Sequence, residues 1–286
     1  MSPRLQGVLL QLAALALFVS MDSLIKLLVA RYPVPQLMFV RFVFHTLLVT
    51  VAIGLFTRSL PFRSRAPGLQ VLRSLLLATA NALLSTALIH IPLADATAVA
   101  FAAPLITVAL AALWLGEAVS ARRWIGVGIG FVGVLIAIRP PFLTGEALHW
   151  AVLLPLGTAV ANTLYQLLTR RLAAVDDPRT TVLHTGIAAA AVTSLAQPFV
   201  WVTPDPLDWP LFAALGLLGG AGHWLLVLAF ARAPASILAP LSYTQILWAG
   251  LAGVLLFGDV PDAWTATGAA IIGLGGVLVA WPSARR

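Results

Sequence analysis

Residues 113–134, LWLGEAVSARRWIGVGIGFVGV, and residues 255–276, LLFGDVPDAWTATGAAIIGLGG, lie over each other without a gap when the chain is shifted by 142 positions. Leu113, Gly116, Ala121, Gly126, Ile129 and Gly133 meet the same residue type at Leu255, Gly258, Ala263, Gly268, Ile271 and Gly275, and Glu117 meets Asp259. Working outward, the match extends to residues 87–140 over 229–282, adding Ala87, Pro92, Leu105 and Pro140 over Ala229, Pro234, Leu247 and Pro282. Shared apolar composition alone would not bring glycines, prolines and an acid into register together. Earlier stretches align at a shift of 144, where Val8-Leu9-Leu10 meets Val152-Leu153-Leu154 and Lys26 meets Arg170. The chain therefore reads as two related halves, residues 1–140 and 141–286.

Composition says what solvent surrounds these halves. Of the 286 residues, 60% are hydrophobic and only 9% are charged, and the mean hydropathy is +0.99. Soluble domains carry about 25% charged residues, and a soluble fold of this size could not hide so much apolar surface. Lipid is the solvent that remains. The net charge of +7 does not point to nucleic acid, because the basic residues sit between apolar stretches and form no patch with aromatics. There is no cysteine, hence no disulfide framework or thiolate metal site. The five histidines show no metal-ligand spacing, so neither metal nor cofactor is expected.

A span needs about 20 mostly apolar residues. Ten such stretches are predicted, at 5–30, 34–56, 68–90, 94–115, 121–138, 147–171, 180–201, 208–230, 235–257 and 263–281. Pro/Gly/Asp turns separate them, among them Tyr32-Pro33-Val34-Pro35, Pro140-Pro141 and Pro204-Asp205-Pro206. The first stretch is too long for a signal peptide core and lacks a small-residue cleavage site. Charge tests the count. Of the 17 basic residues, 13 fall on the side of the N-terminus, including Arg58, Arg73, Arg122, Arg170 and Arg232. Only Arg31 and Arg139 fall on the other side, and Lys26 and Arg41 lie within spans. Basic residues stay cytoplasmic, so both termini are expected inside, in a multi-pass protein of the inner membrane. Five spans per half is an odd number, so the second half would enter the membrane inverted. Two inverted five-helix repeats in an all-α membrane protein are the signature of a secondary transporter.

Phe39-Val40-Arg41-Phe42 in span 2, Pro104-Leu105 and Leu113-Trp114-Leu115-Gly116-Glu117 in span 4, and Trp124-Ile125-Gly126 leading to Gly133-Val134 in span 5 carry a family resemblance. Phe257-Gly258-Asp259 and Gly268 to Gly275-Gly276 echo them in the second half. Over nearly its whole length the chain resembles the EamA-type transporters of the drug/metabolite transporter superfamily. In length and layout it is similar to their bacterial YddG-like branch of aromatic amino-acid exporters. The resemblance implies a ten-helix fold, a central cavity between the halves and export of small metabolites. The chain departs from that pattern in span 9, where Gln245-Ile246 stands where Pro104 would be repeated.

Polar residues deep in a span are costly unless they face protein or water. Asp22 and Lys26 share one face of span 1, and Arg41 of span 2 falls at similar depth. They form a candidate proton or substrate site, or an ion pair that fixes span 1 against span 2. Near the mid-plane lie Asn81, Phe101, Tyr165, Tyr243 and Gln245, with His223 and Trp224 just after a Gly-rich run and His45 one turn from Arg41. Aromatics could stack on a substrate while amides and imidazoles bond its polar end. Each aromatic could equally be helix packing. Glu117 and Asp259 read as caps of the helices that follow them. Gly126, Gly130, Gly133 and Gly268 read as packing faces, and Trp201, Trp209, Trp264 and Trp281 as interface anchors.

The expected activity is alternating-access export of small organic metabolites, with amino acids favoured over cationic drugs or nucleosides. A channel and a membrane-embedded enzyme are the alternatives from other classes. Asp22 is the one deep acid and no nucleophile–base pair stands out, so no enzyme activity is expected. Expected partners are the small-molecule substrate and the lipid bilayer, with no nucleic acid, in a monomer or weak dimer.

Overall fold

The computed structural model describes residues 2–57, 62–103, 105–106, 110, 120–138, 149–172, 175–232, 241–242 and 244–280. All regular structure among them is helical. We number the helices α1 (Pro3–Leu28), α2 (Val34–Thr57), α3 (Pro67–His90), α4 (Leu93–Ala100), α5 (Ala121–Ile138), α6 (Leu153–Leu172), α7 (Pro178–Ser194), α8 (Trp209–Arg232), α9 (Thr244–Ala252) and α10 (Ala263–Ala280). Each sits at one of the ten predicted stretches. α1, α2, α3, α6 and α8 are long and apolar enough to cross a membrane, with shorter apolar helices over α5, α9 and α10.

The ends follow local chemistry. Ser2 caps α1 by accepting the Leu5 N–H, with Pro3 at the first helical position. Asp177 caps α7 by accepting the Arg179 N–H at 2.8 Å, ahead of Pro178. α7 stops at Ser194, short of the predicted 201. There Thr193 and Ser194 bond preceding carbonyls, and Pro198 lacks the N–H that would continue the ladder, so a separate turn forms at Gln197–Val200. α4 pauses at Phe101 (ψ 4°), because a proline at 104 returns no N–H to the carbonyl of residue 100. α9 widens into a π-helical turn at Gly253–Phe257 and ends on Gly258, whose φ of 70° only glycine adopts readily. The cap of α10 is Asp262, which accepts the Thr265 N–H at 2.9 Å, and not Asp259 as the sequence suggested. Glu117 lies outside the described residues.

Packing interleaves the two halves. α1 lies on α8 and α3 on α6; α2 lies on α8 and α3 on α7; α1 lies on α9 and α4 on α6. Each of these contacts turns into its mate when helices are renumbered by five. The contacts α2–α7, α4–α9 and α5–α10 map onto themselves. The α5–α10 crossing shows why small residues recur there. A Cβ added to Gly268 would meet the Gly133 carbonyl oxygen at 2.8 Å, and one on Gly275 would meet the Gly126 oxygen at 2.6 Å. In lipid, where burial gives little drive, such close backbone approach supplies the dispersion contacts that hold helices together.

Candidate substrate site

The largest apolar cluster joins α1, α2, α3 and α8 around Met21, Ile25, Met38, Leu77 and Leu215, and the charged residues sit inside it. Asp22 is 6% exposed and Arg41 4%. The Arg41 guanidinium donates through Nη1 to Asn81 Oδ1. Asn81 is itself held by its Nδ2, which donates to the Leu77 carbonyl at 2.7 Å. Arg41 is the charge that acts on Asp22, yet among the described residues the two form no ion pair. One turn along α2, His45 is buried, and its Nε2 has no partner among the described residues. Its ring lies 6.1 Å from that of His223 of α8, and His223 packs edge-on against Phe18 of α1 at 5.0 Å. The Gly-rich face of α8 admits this cluster. Cβ atoms on Gly216 and Gly220 would strike Phe44 and Leu48 of α2, and one on Gly222 would strike the Phe18 ring.

Asp22, Arg41, Asn81, His45 and His223 are thus brought together, from both halves. Lys26 is not with them. It forms an ion pair with Asp259 beyond α9 and lies 4.5 Å from the Phe257 ring centre, because it sits one turn nearer the helix end. Phe101 belongs to a second apolar cluster, with Val99, Val134 and Ile272. Trp224 is 46% exposed and points away from the charged interior. Gln245 is half-buried at the start of α9. Tyr243 lies outside the described residues.

Tyr165 leads to a residue that sequence reasoning misplaced. Arg73, sorted with the cytoplasmic charges, is 3% exposed within α3. Its Nε donates to Thr169 Oγ1 at 2.6 Å, its Nη2 to the Tyr165 hydroxyl at 2.7 Å, and its Nη1 to Thr185 Oγ1. The guanidinium lies 4.3 Å from the Tyr165 ring centre. None of these partners is an acid. Among the described residues, Arg41 and Arg73 are the buried arginines, and Asp22 is the carboxylate buried within a long span. The available signal was position: Arg73 lies five residues past the start of its predicted span, about 7.5 Å along a helix.

Polar locks close both ends. At one, Asp176 accepts from Ser64, the Arg65 N–H (2.8 Å) and Gln70 (2.8 Å). Burial raises the Asp176 carboxyl, but these three hydrogen bonds outweigh it and hold the group below its ordinary value. At the other, Asp208 accepts from Arg31 (3.0 Å) and the Tyr32 hydroxyl (2.6 Å), and Gln36 exchanges hydrogen bonds with Val202. Donation to Asp208 pushes the Tyr32 hydroxyl above its ordinary value. A groove of about 410 Å³ between α1 and α9, lined by Val19, Leu24, Trp248 and Leu255, is apolar. Leu27, Leu251, Leu255 and Leu256 around it are exposed, so it opens on the outer face of the bundle and is separate from the charged cluster.

An all-helical bundle of long apolar helices, with charges buried where its two halves meet, defines a multi-pass membrane transporter. The profile of the EamA-like transporter family matches residues 5–139 and again 149–281, and the chain belongs to that family. It is 26% identical over 253 residues to the S-adenosylmethionine uptake transporter of Rickettsia bellii (strain RML369-C), covering 88% of this chain and 85% of that one. It is 29% identical over 270 residues to the pseudopaline exporter of Pseudomonas aeruginosa (strain UCBPP-PA14), covering 93% of both. A riboflavin transporter of Vibrio cholerae is 30% identical over 183 residues, 64% of this chain and 60% of that one. One solved crystal structure, 23% identical, superposes with a TM-score of 0.69 over 95% of each chain, a likeness of fold. The chain is thus a transporter of small metabolites.

Proposed function

We propose that this chain is a secondary transporter that exports small organic metabolites, amino acids first among them, across the inner membrane by alternating access. The observation that carries the reading is the placement of Asp22, Arg41 and Asn81 against His223, where helices of the two halves meet. Charges buried at a repeat interface are where a rocking bundle handles its cargo. The 142-residue repeat and the paired helix contacts support two inverted halves, and the sorting of basic residues supports cytoplasmic termini. Relatives named for S-adenosylmethionine, riboflavin and pseudopaline support larger metabolites as the second reading. No nucleotide-binding loop is present in the sequence, so the drive is an ion gradient or the substrate's own gradient.

The test is a screen of labelled metabolites in liposomes holding the purified protein, with and without a proton gradient. Saturable flux of at least one amino acid, with counterflow, is expected. Flux confined to larger metabolites would replace the amino-acid reading, and flux that never saturates would replace the transporter with a channel.

A further inference from the structure

The two polar locks share one plan at opposite ends of the bundle. One joins the entries to α3 and α7. Ser64 and Arg65, just ahead of Pro67, bond Asp176, two residues ahead of Pro178. The other joins the entries to α2 and α8. Tyr32, two residues ahead of Val34, bonds Asp208, directly ahead of Trp209. Renumbering helices by five exchanges α2 with α7 and α3 with α8, so it turns each lock into the other. Tyr32 and Asp176 are themselves mates at the shift of 144. One mate is the hydroxyl of its lock and the other is the carboxylate of its lock. In both locks the first half supplies the hydroxyl and the second half the acid, so each bond ties the halves together. What the repeat keeps is the bond and not the residue type.

Helix α7 spans the distance between the locks. Asp176 precedes it, and beyond its end Gln197 donates to the Pro35 carbonyl at 3.2 Å, at the start of α2. Its 17 residues measure about 25 Å. The charged cluster lies halfway. Gly186, the middle residue of α7, packs on Thr46 and His45, and a Cβ built there would lie 3.1 Å from the His45 ring. Asp176 and Asp208 are buried, as are Asp22 and Arg41 between them. With both locks made, the cluster is closed off at both ends. We propose that the two locks are a matched pair of gates: the Ser64–Asp176 bond shuts one approach to the cluster, the Tyr32–Asp208 bond shuts the other, and each opens while its mate holds. This rests on the alternating-access reading above and assigns its gates to four side chains. Breaking one lock frees the halves at that end alone, because the other still ties them. The loss of a hydrogen bond to a carboxylate is enough to shift such a balance by about tenfold.

The test uses the absence of cysteine from the chain. Leu77→Cys places a thiol in the buried cluster, where Leu77 is 7% exposed. Its rate of labelling by a membrane-impermeant maleimide is measured in the full chain, in intact cells and in inverted membrane vesicles, which offer opposite faces. Ser64→Ala and Tyr32→Phe each remove one hydroxyl and little else, so both variants should fold. Each is expected to speed labelling by about fivefold or more from the face where its own lock lies, and not from the other face. Asp176→Asn and Asp208→Asn should act on the same faces as their partners. Labelling that stays unchanged at the variant's own face, while the reporter alone is labelled slowly from both faces, would overturn the gates and leave alternating access standing. One variant that speeds labelling equally from both faces would mean an open pore and overturn both. Labelling from neither face in any variant would also overturn both, because no path would then reach the cluster.

Discussion

Arg73 carries the sharpest lesson at the scale of the residue. A guanidinium buried among hydroxyls and a tyrosine ring, with no acid in contact, is costly to the fold. Arg73→Met keeps the volume and removes the charge. It is expected to leave the melting temperature in detergent unchanged or raised while transport falls at least about tenfold. A large drop in melting temperature with unchanged flux per folded molecule would make Arg73 a structural residue instead. Asp176 makes the opposite case. Its pKa is held below the unfolded value of about 3.9, so its carboxylate contributes stability at neutral pH. That contribution is lost as pH falls through the lower folded pKa. Wild type should melt above Asp176→Asn at pH 7, and the gap should narrow as pH falls below about 4. A constant gap would refute the assignment.

Helices and turns were legible where periodicity of hydropathy and turn residues agree, and illegible where backbone chemistry intervenes. The bounds of α2, α3, α5 and α8 lie within two residues of expectation, because each is an apolar run between polar or proline-bearing turns. The early end of α7 and the π turn closing α9 were not legible, since hydropathy is blind to carbonyls taken by Thr193 and Ser194 and to an extra residue in a helical turn. Site residues divide the same way. Asp22, Arg41 and Asn81 were readable as polar residues inside apolar runs. The Lys26–Asp259 pair was not, because it joins residues 233 positions apart through a turn whose path the sequence does not state. The α5–α10 crossing gives an element-scale prediction with an internal control. Gly275→Ala puts a Cβ 2.6 Å from backbone of α5 and should lower the melting temperature, whereas Gly273→Ala, which meets nothing within 4 Å, should leave it unchanged or raise it slightly. Equal effects of the two would mean the helices do not cross on this face.

The whole molecule is two related bundles whose helices interleave, with polar locks at both ends and a charged cluster between. The paired contacts fit the repeat in the sequence, since equivalent helices carry equivalent faces. The asymmetry lies where the halves diverge: Asp22 and Arg41 have no charged repeat mates, Asp22 meeting Gln166 and Arg41 meeting Thr185 at a shift of 144. On the proposed alternating-access reading, polar contacts that join the two halves open in turn, and the Lys26–Asp259 pair between α1 and the α9–α10 turn is one of those contacts. The chain has no cysteine, so Lys26→Cys with Asp259→Cys gives a clean pair for a short, cleavable thiol cross-linker. Flux in liposomes is expected to stop when the pair is joined and to return when the link is cleaved. Flux undiminished with the cross-link complete would contradict alternating access through this site.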